Sequence, residues 1–138
     1  RGDSAPDSGE KISFKRGDRM KIALSAEGNG LDYKIDGRFG RSLGFIIYDL
    51  DQESLEHVEN RQNREAAQGA GIQAARTIVD SGASVLVTGH VGPKAFAVLK
   101  TAGVEIYTVT GATVREGIER YREGVLKRID SADVEGHW

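Results

Sequence analysis

Three glycine-bearing turns, Gln68-Gly69-Ala70-Gly71, Gly89-His90-Val91-Gly92-Pro93 and Thr110-Gly111-Ala112-Thr113, each stand ahead of a segment with helical patterning. Glycine lets a backbone approach a ligand closely, and the unpaired N–H groups of a helix N-terminus carry fractional positive charge. The chemistry this suits is anion binding. Pro93 fits a first helical turn, where its missing donor costs nothing. Tight strand-to-helix connections use the same glycines, so it is the convergence of three turns that favours a site. Gly37-Arg38-Phe39-Gly40-Arg41 adds two guanidinium groups and an aromatic ring read as exposed. These forked, permanently charged donors either clamp an oxoanion or thioanion or are solvated surface. His90 is placed to bind a metal, to donate to a sulfide, or to bond its own backbone, whereas His57 and His137 read as structural.

Other chemistries lack their parts. No GxxxxGK followed by Ser or Thr occurs and no GxGxxG opens a helix, so nucleotide chemistry is not indicated. A two-metal nuclease would need an acidic residue in the first strand, and residues 22–25 supply none. Ser25, Ser42 and Ser84 have neither a GxSxG elbow nor a histidine with a carboxylate partner beside them. The chain contains no cysteine, so a metal cluster bound here must bring its own sulfur. A net charge of −2 offers no general field for nucleic acid or acidic membranes. No apolar run approaches the ~20 residues that cross a bilayer, and the start of the chain lacks the apolar stretch of a secretory signal. The expectation is a cytoplasmic protein without nucleic-acid or membrane partners.

The elements that must position these groups follow from periodicity. Lys21-Ile22-Ala23-Leu24-Ser25 reads as a strand running into the Ala26-Glu27-Gly28-Asn29-Gly30 loop. Segments 43–50 and 54–60 flank Asp51-Gln52-Glu53 as the arms of a tight hairpin. Ile72, Ala75 and Val79 predict a helix over 71–81 stopped by Gly82, and 84–88 is a continuous apolar strand. Ala95, Val98, Leu99 and Ala102 mark a second helix ended by Gly103, 104–109 repeats the strand, and Val114, Ile118, Tyr121 and Val125 line a last helix. The order βββαβαβα gives an α/β domain, a five-stranded mixed sheet with helices on both faces and its ligand loops beyond the carboxyl ends of the strands. Residues 1–19, with Ile12 and Phe14 as their large apolar groups, read as a flexible tail or cloning remnant whose Arg-Gly-Asp triplets are chance matches. Residues 20–128 form the binding domain and 129–138 a C-terminal tail.

Met20-Lys21-Ile22-Ala23 with its Gly-Asn-Gly loop, Phe39-Gly40-Arg41, Gly69-Ala70-Gly71-Ile72-Gln73-Ala74-Ala75 and Gly89-His90-Val91-Gly92-Pro93-Lys94-Ala95-Phe96 occur in that order. Together they resemble the dinitrogenase iron–molybdenum cofactor biosynthesis family over about 20–128. The resemblance implies a ribonuclease-H-like three-layer sandwich without nuclease activity. Its members include nitrogenase-cofactor carriers and the orange proteins of sulfate reducers, which hold a molybdenum–copper sulfide cluster noncovalently. It therefore implies no enzyme but a carrier of an anionic molybdenum-containing metal–sulfur cluster. The molybdenum–copper sulfide is favoured over an iron–molybdenum cofactor precursor, and cluster donor or acceptor proteins are the implied partners. The contact residues would be Arg38, Phe39, Gly40, Arg41, Gly69, Ala70, Gly71, Gly89, His90, Val91, Gly92, Lys94, Gly111 and Ala112, with His90 a candidate metal ligand. The family often carries His-Phe-Gly-Arg, and Arg38 in place of that imidazole favours electrostatic capture over ligation. The alternative is a small regulatory domain that senses a phosphorylated metabolite through the same turns.

Overall fold

The computed structural model describes residues 20–60 and 69–131. The N-terminal segment 1–19 and residues 132–138, including His137, lie outside the described residues. Three strands come first: β1 (Lys21–Ala26), β2 (Gly44–Asp49) and β3 (Ser54–Glu59), with a short 3-10 turn at Phe39–Arg41 before β2. Then helices and strands alternate: α1 (Ala70–Ser81), β4 (Val85–Thr88), α2 (Pro93–Thr101), β5 (Glu105–Thr108), α3 (Val114–Glu123) and β6 (Lys127–Arg128). One sheet holds all six strands in the order β3-β2-β1-β4-β5-β6.

β1 pairs antiparallel with β2 and parallel with β4, and β4 pairs parallel with β5. Buried on both faces, β1 and β4 need apolar side chains at consecutive positions, which is why they read as runs rather than alternations. The two-residue period sorts them into two cores. Ala23, Phe45, Ile47, Leu86 and Ile106 point to one face and meet Ala74, Ala75 and Ile78 of α1 and Ala95 and Leu99 of α2. Ile22, Leu24, Ile46, Val85 and Val87 point to the other and meet Val114 and Ile118 of α3. The result is a three-layer α/β arrangement with β1 at its centre.

The sheet has six strands where five were expected. β6 is two exposed residues, Lys127 and Arg128, opposite Thr108 and Tyr107, and charged residues outside an alternating pattern give no strand signal. The chain is carried on into the core by Ile129, whose N–H donates to Ile106 O and whose side chain packs against the first core. The last helix stops at Glu123, because Gly124 takes a left-handed conformation as its cap, and Val125 lies outside it, 65% exposed. In α1 the buried stripe is Ala70, Ala74, Ala75 and Ile78, with Ile72 and Val79 at its margin. Small alanines let α1 approach α2 and the sheet closely, and they give a weaker apolar signal than the flanking Ile72 and Val79. No helix among the described residues is long and apolar enough to cross a membrane.

Leu99 is fully buried between α2 and the sheet. Leu99→Ala should cost about 2–5 kcal/mol of unfolding free energy. In urea titrations this should appear as a lower midpoint with an unchanged slope.

Candidate functional site

The segment between β1 and β2 crosses the carboxyl ends of the parallel strands and touches the turn ahead of each helix. Its first half is tied to α3: Ile35 N–H donates to Ala112 O at 2.9 Å, Val114 N–H to Tyr33 O at 2.9 Å and Arg115 N–H to Leu31 O at 2.8 Å. Its second half lies on the other two turns. Arg38 and His90 form a parallel bridge in which Phe39 N–H donates to His90 O at 3.2 Å. A Cβ placed on Gly89 would stand 2.6 Å from Gly37 Cα and O, and one on Gly40 would stand 2.9 Å from Gly71 N and Cα. These are approaches that only glycine allows.

Loop 37–41 and the turns ahead of α1 and α2 are therefore one continuous surface. Arg38 and Lys94 are exposed on it, Arg41 and His90 half-exposed. Gly69 caps α1 in the left-handed conformation and Gly92 caps α2, and neither helix has a side-chain cap. The first N–H groups of a helix have no intrahelical acceptor, so the amides of Ala70, Gly71 and Ile72, and of Lys94 and Ala95 behind Pro93, are the donors this surface offers.

The α3 end differs. Thr113 Oγ1 accepts from Glu116 N–H at 3.1 Å and Glu116 Oε1 accepts from Thr113 N–H at 2.9 Å, a complete capping box. With Tyr33 O and Leu31 O on the next two amides, all four leading donors of α3 already have protein acceptors. Arg115 adds an ion pair to Asp32 at 3.1 Å. The carboxylate of Glu116 also offsets the positive end of the helix. Gly111 is an exposed left-handed turn residue and Ala112 is fully buried, its carbonyl held by Ile35. The third glycine turn thus anchors the loop, and an anion would find its donors occupied.

The remaining residues divide by side-chain direction. Phe39, read from the sequence as exposed, is 1% exposed and packs on Phe45 with ring centroids 5.3 Å apart. Phe39, between the two arginines, is drawn into the core while the charges stay out. Val91 and Ala70 are likewise buried, and Phe96 is half-buried under Lys100, 5.7 Å from its ring centroid. Phe39, Gly40, Ala70, Gly89 and Val91 can meet a ligand only through the backbone. His57 sits in β3 with Nε2 packed over Gly44 and takes no part. Among the described residues no three His, Asp or Glu side chains gather to hold a metal ion.

Sequence patterning gave no site role to Ser25, Asp36, Ser42, Asn60 or Thr88. Asp36 Oδ1 accepts from Arg38 N–H at 3.1 Å, and Asn60 Nδ2 donates to Ser42 O at 2.9 Å. The Asn60–Ser42 contact joins residues 18 apart and leaves no local pattern, whereas the Asp36–Arg38 contact is a local turn. By contrast Thr113-x-x-Glu116 is a readable capping-box signature, and it could have shown that the third turn is self-satisfied.

A turn-lined surface of this kind at the carboxyl ends of a mixed sheet defines an α/β ligand-binding domain. More particularly, residues 20–124 match the family model for dinitrogenase iron–molybdenum cofactor proteins, and the chain belongs to that family. It is similar to the apo form of the orange protein of Desulfovibrio gigas at 40% identity and a TM-score of 0.82, covering 84% of this chain and 98% of that one. A Thermotoga protein solved by NMR aligns at 35% identity and a TM-score of 0.75, over 85% of this chain and 99% of its own. An uncharacterized protein of Methanocaldococcus jannaschii is 28% identical over 113 residues, 80% of this chain and 92% of that protein.

Gly89→Ala should push loop 37–41 off the turn, because its Cβ meets backbone that has no rotamer to escape into. The expected loss is about 1–3 kcal/mol of stability, with chemical-shift changes centred on residues 37–41. Thr113 N–H, donating to Glu116, holds that carboxyl below the usual glutamate range. A lowered folded-state pKa stabilises above the unfolded value and is lost as pH falls through the folded one. The melting temperature should therefore drop on acidification through and below the ordinary glutamate range, and less steeply in Glu116→Gln.

Proposed function

We propose that this protein binds and carries an anionic molybdenum-containing metal–sulfur cluster noncovalently, with a molybdenum–copper sulfide the favoured cargo. The observation that carries this reading is the juxtaposition of loop 37–41, with Arg38 and Arg41, against two helix N-termini that no side chain caps. Membership of the cofactor family and the similarity to an orange protein support it.

The donor set fits such a guest. A chain without cysteine cannot supply thiolates, so the sulfide must belong to the cargo. What the surface offers is the outer-sphere complement of a sulfide-rich anion: amides of α1 and α2, the guanidinium groups of Arg38 and Arg41, the ammonium of Lys94 and the imidazole of His90. Guanidinium presents a planar fork of donors and is weakly hydrated, so it loses less on leaving water for a soft anion than ammonium does. Backbone amides held in place cost no reorganisation when the guest arrives. The strand order β3-β2-β1-β4-β5 supports a ribonuclease-H-like description of the sheet. No step of turnover is assigned to the site; the role is custody and transfer, in the cytoplasm, between donor and acceptor proteins. A phosphorylated metabolite would use the same donors and is the competing ligand.

Mixing the protein with tetrathiomolybdate and copper should give a coloured complex that co-elutes with the protein on a sizing column. Colour eluting apart from the protein, or stabilisation by sugar phosphates and nucleotides but not by thiometallates in thermal-shift assays, overturns the reading. Arg38→Ala and Arg41→Ala should each weaken thiometallate binding about tenfold, as befits a charge-assisted hydrogen bond, and the wild-type affinity should fall with added salt.

A further inference from the structure

Five polar or charged residues are buried among the described residues: Ser25, Ser42, Asp49, Asn60 and Thr88. Asp49 serves the hairpin at the far end of the sheet, accepting from the N–H groups of Asp51 and Gln52. The other four converge on loop 36–42. Ser25 Oγ donates to Asp36 O at 2.8 Å and lies 2.7 Å from Thr88 Oγ1. A hydroxyl has one proton; with that of Ser25 given to Asp36, Thr88 is the donor to Ser25. This two-step relay ties the ends of β1 and β4 to the residue whose carboxylate receives Arg38 N–H. On the other side of the loop Asn60 Nδ2 donates to Gly40 O at 3.4 Å and Ser42 O at 2.9 Å, the carbonyls that bracket Arg41. Ser42 Oγ in turn reaches Gly44 O at 2.6 Å and Ala26 O at 3.3 Å.

We propose that Ser25 with Thr88, and Asn60 with Ser42, are positioning residues that hold Arg38 and Arg41 in a preformed clamp for the anion. The inference rests on the anion-binding reading of the loop. Its physical ground is that a buried hydrogen-bonded pair contributes little net stability over an apolar pair of the same shape. A relay of buried hydroxyls does fix geometry, since each unmade bond in a low-dielectric interior is expensive. Four such residues fix the backbone that carries the two arginines before the guest arrives, which lowers the ordering cost of binding.

The test uses the full chain with Ser25→Ala combined with Thr88→Val, which removes both hydroxyls and leaves no orphaned hydroxyl. Amide hydrogen exchange of residues 38–42 is measured without ligand, and affinity is measured with tetrathiomolybdate and copper. Exchange at 38–42 should quicken about tenfold while residues 22–24 and 85–87 keep their protection, and affinity should fall about tenfold. Thr88→Ser, which keeps the hydroxyl, should retain wild-type values, and Asn60→Ala should act on residues 40–42 in the same way. Unchanged exchange overturns the proposal, as does faster exchange with unchanged affinity, which would make the relay structural only. If wild-type protein binds no thiometallate, the functional reading fails, and exchange at 38–42 alone decides whether the relay orders the loop. Should the double variant not fold, Thr88→Val is judged by the same outcomes.

Discussion

Gly37 lies against Gly89 and Gly40 against Gly71, each so close that a Cβ on Gly89 or Gly40 would meet the backbone opposite, and everything proposed for the surface depends on these two crossings. Loop 37–41 can lie flat across the starts of α1 and α2 only because no Cβ intervenes at either crossing. An ångström or two of separation would leave the arginines on an independent excursion into solvent, where exposed charges contribute little. With the loop seated, the cations and the leading amides of two helices share one rim. Phe39 is the countersunk fastener: its burial against Phe45 converts a polar, glycine-rich stretch into a segment with a fixed height above the sheet.

The three helix N-termini, similar in sequence, are put to different use. At α3 the leading amides are taken by Thr113, Glu116, Tyr33 and Leu31, so the positive end of that helix is discharged into the protein's own loop. At α1 and α2 glycine caps leave the corresponding groups without a side-chain acceptor. One helix end secures the strap, and two keep leading amides without a side-chain cap. The α3 end carries mixed charge, with Asp32 paired to Arg115 and Glu116 near Lys34 and Arg120, while Arg38, Arg41 and Lys94 stand at the α1 and α2 end.

What the residues revealed on their own follows the range of the interactions involved. Strands β1 and β4, the hairpin and all three helices were legible because their burial pattern is local, and Gly89-His90-Val91-Gly92-Pro93 was legible because turn chemistry and helix start signals coincide within five residues. β6 was not, since Lys127 and Arg128 pair with β5 by proximity alone. Phe39 was misread because the side-chain direction of a residue in a 3-10 turn depends on what the turn packs against, here Phe45 and the α1 turn. Ser25 and Thr88 looked like ordinary strand residues. Their 2.7 Å contact joins positions 63 apart in sequence, a separation at which no spacing rule operates.

On the proposed reading, the absence of cysteine becomes part of how a carrier can let go. A cluster held by thiolates leaves by ligand exchange at the metal, and its release is governed by the strength of those bonds and by protonation of the sulfur. A cluster held by amides and guanidinium groups leaves by replacing outer-sphere contacts with water, one donor at a time, while its own sulfide shell stays intact. Such a grip must draw its strength from the number of donors and from their prior alignment. Each contact is modest once its desolvation is counted. Two helix ends without side-chain caps supply the number. The buried hydroxyls and the carboxamide beneath the arginine loop supply the alignment, so the hidden polar residues and the exposed cations act as one device.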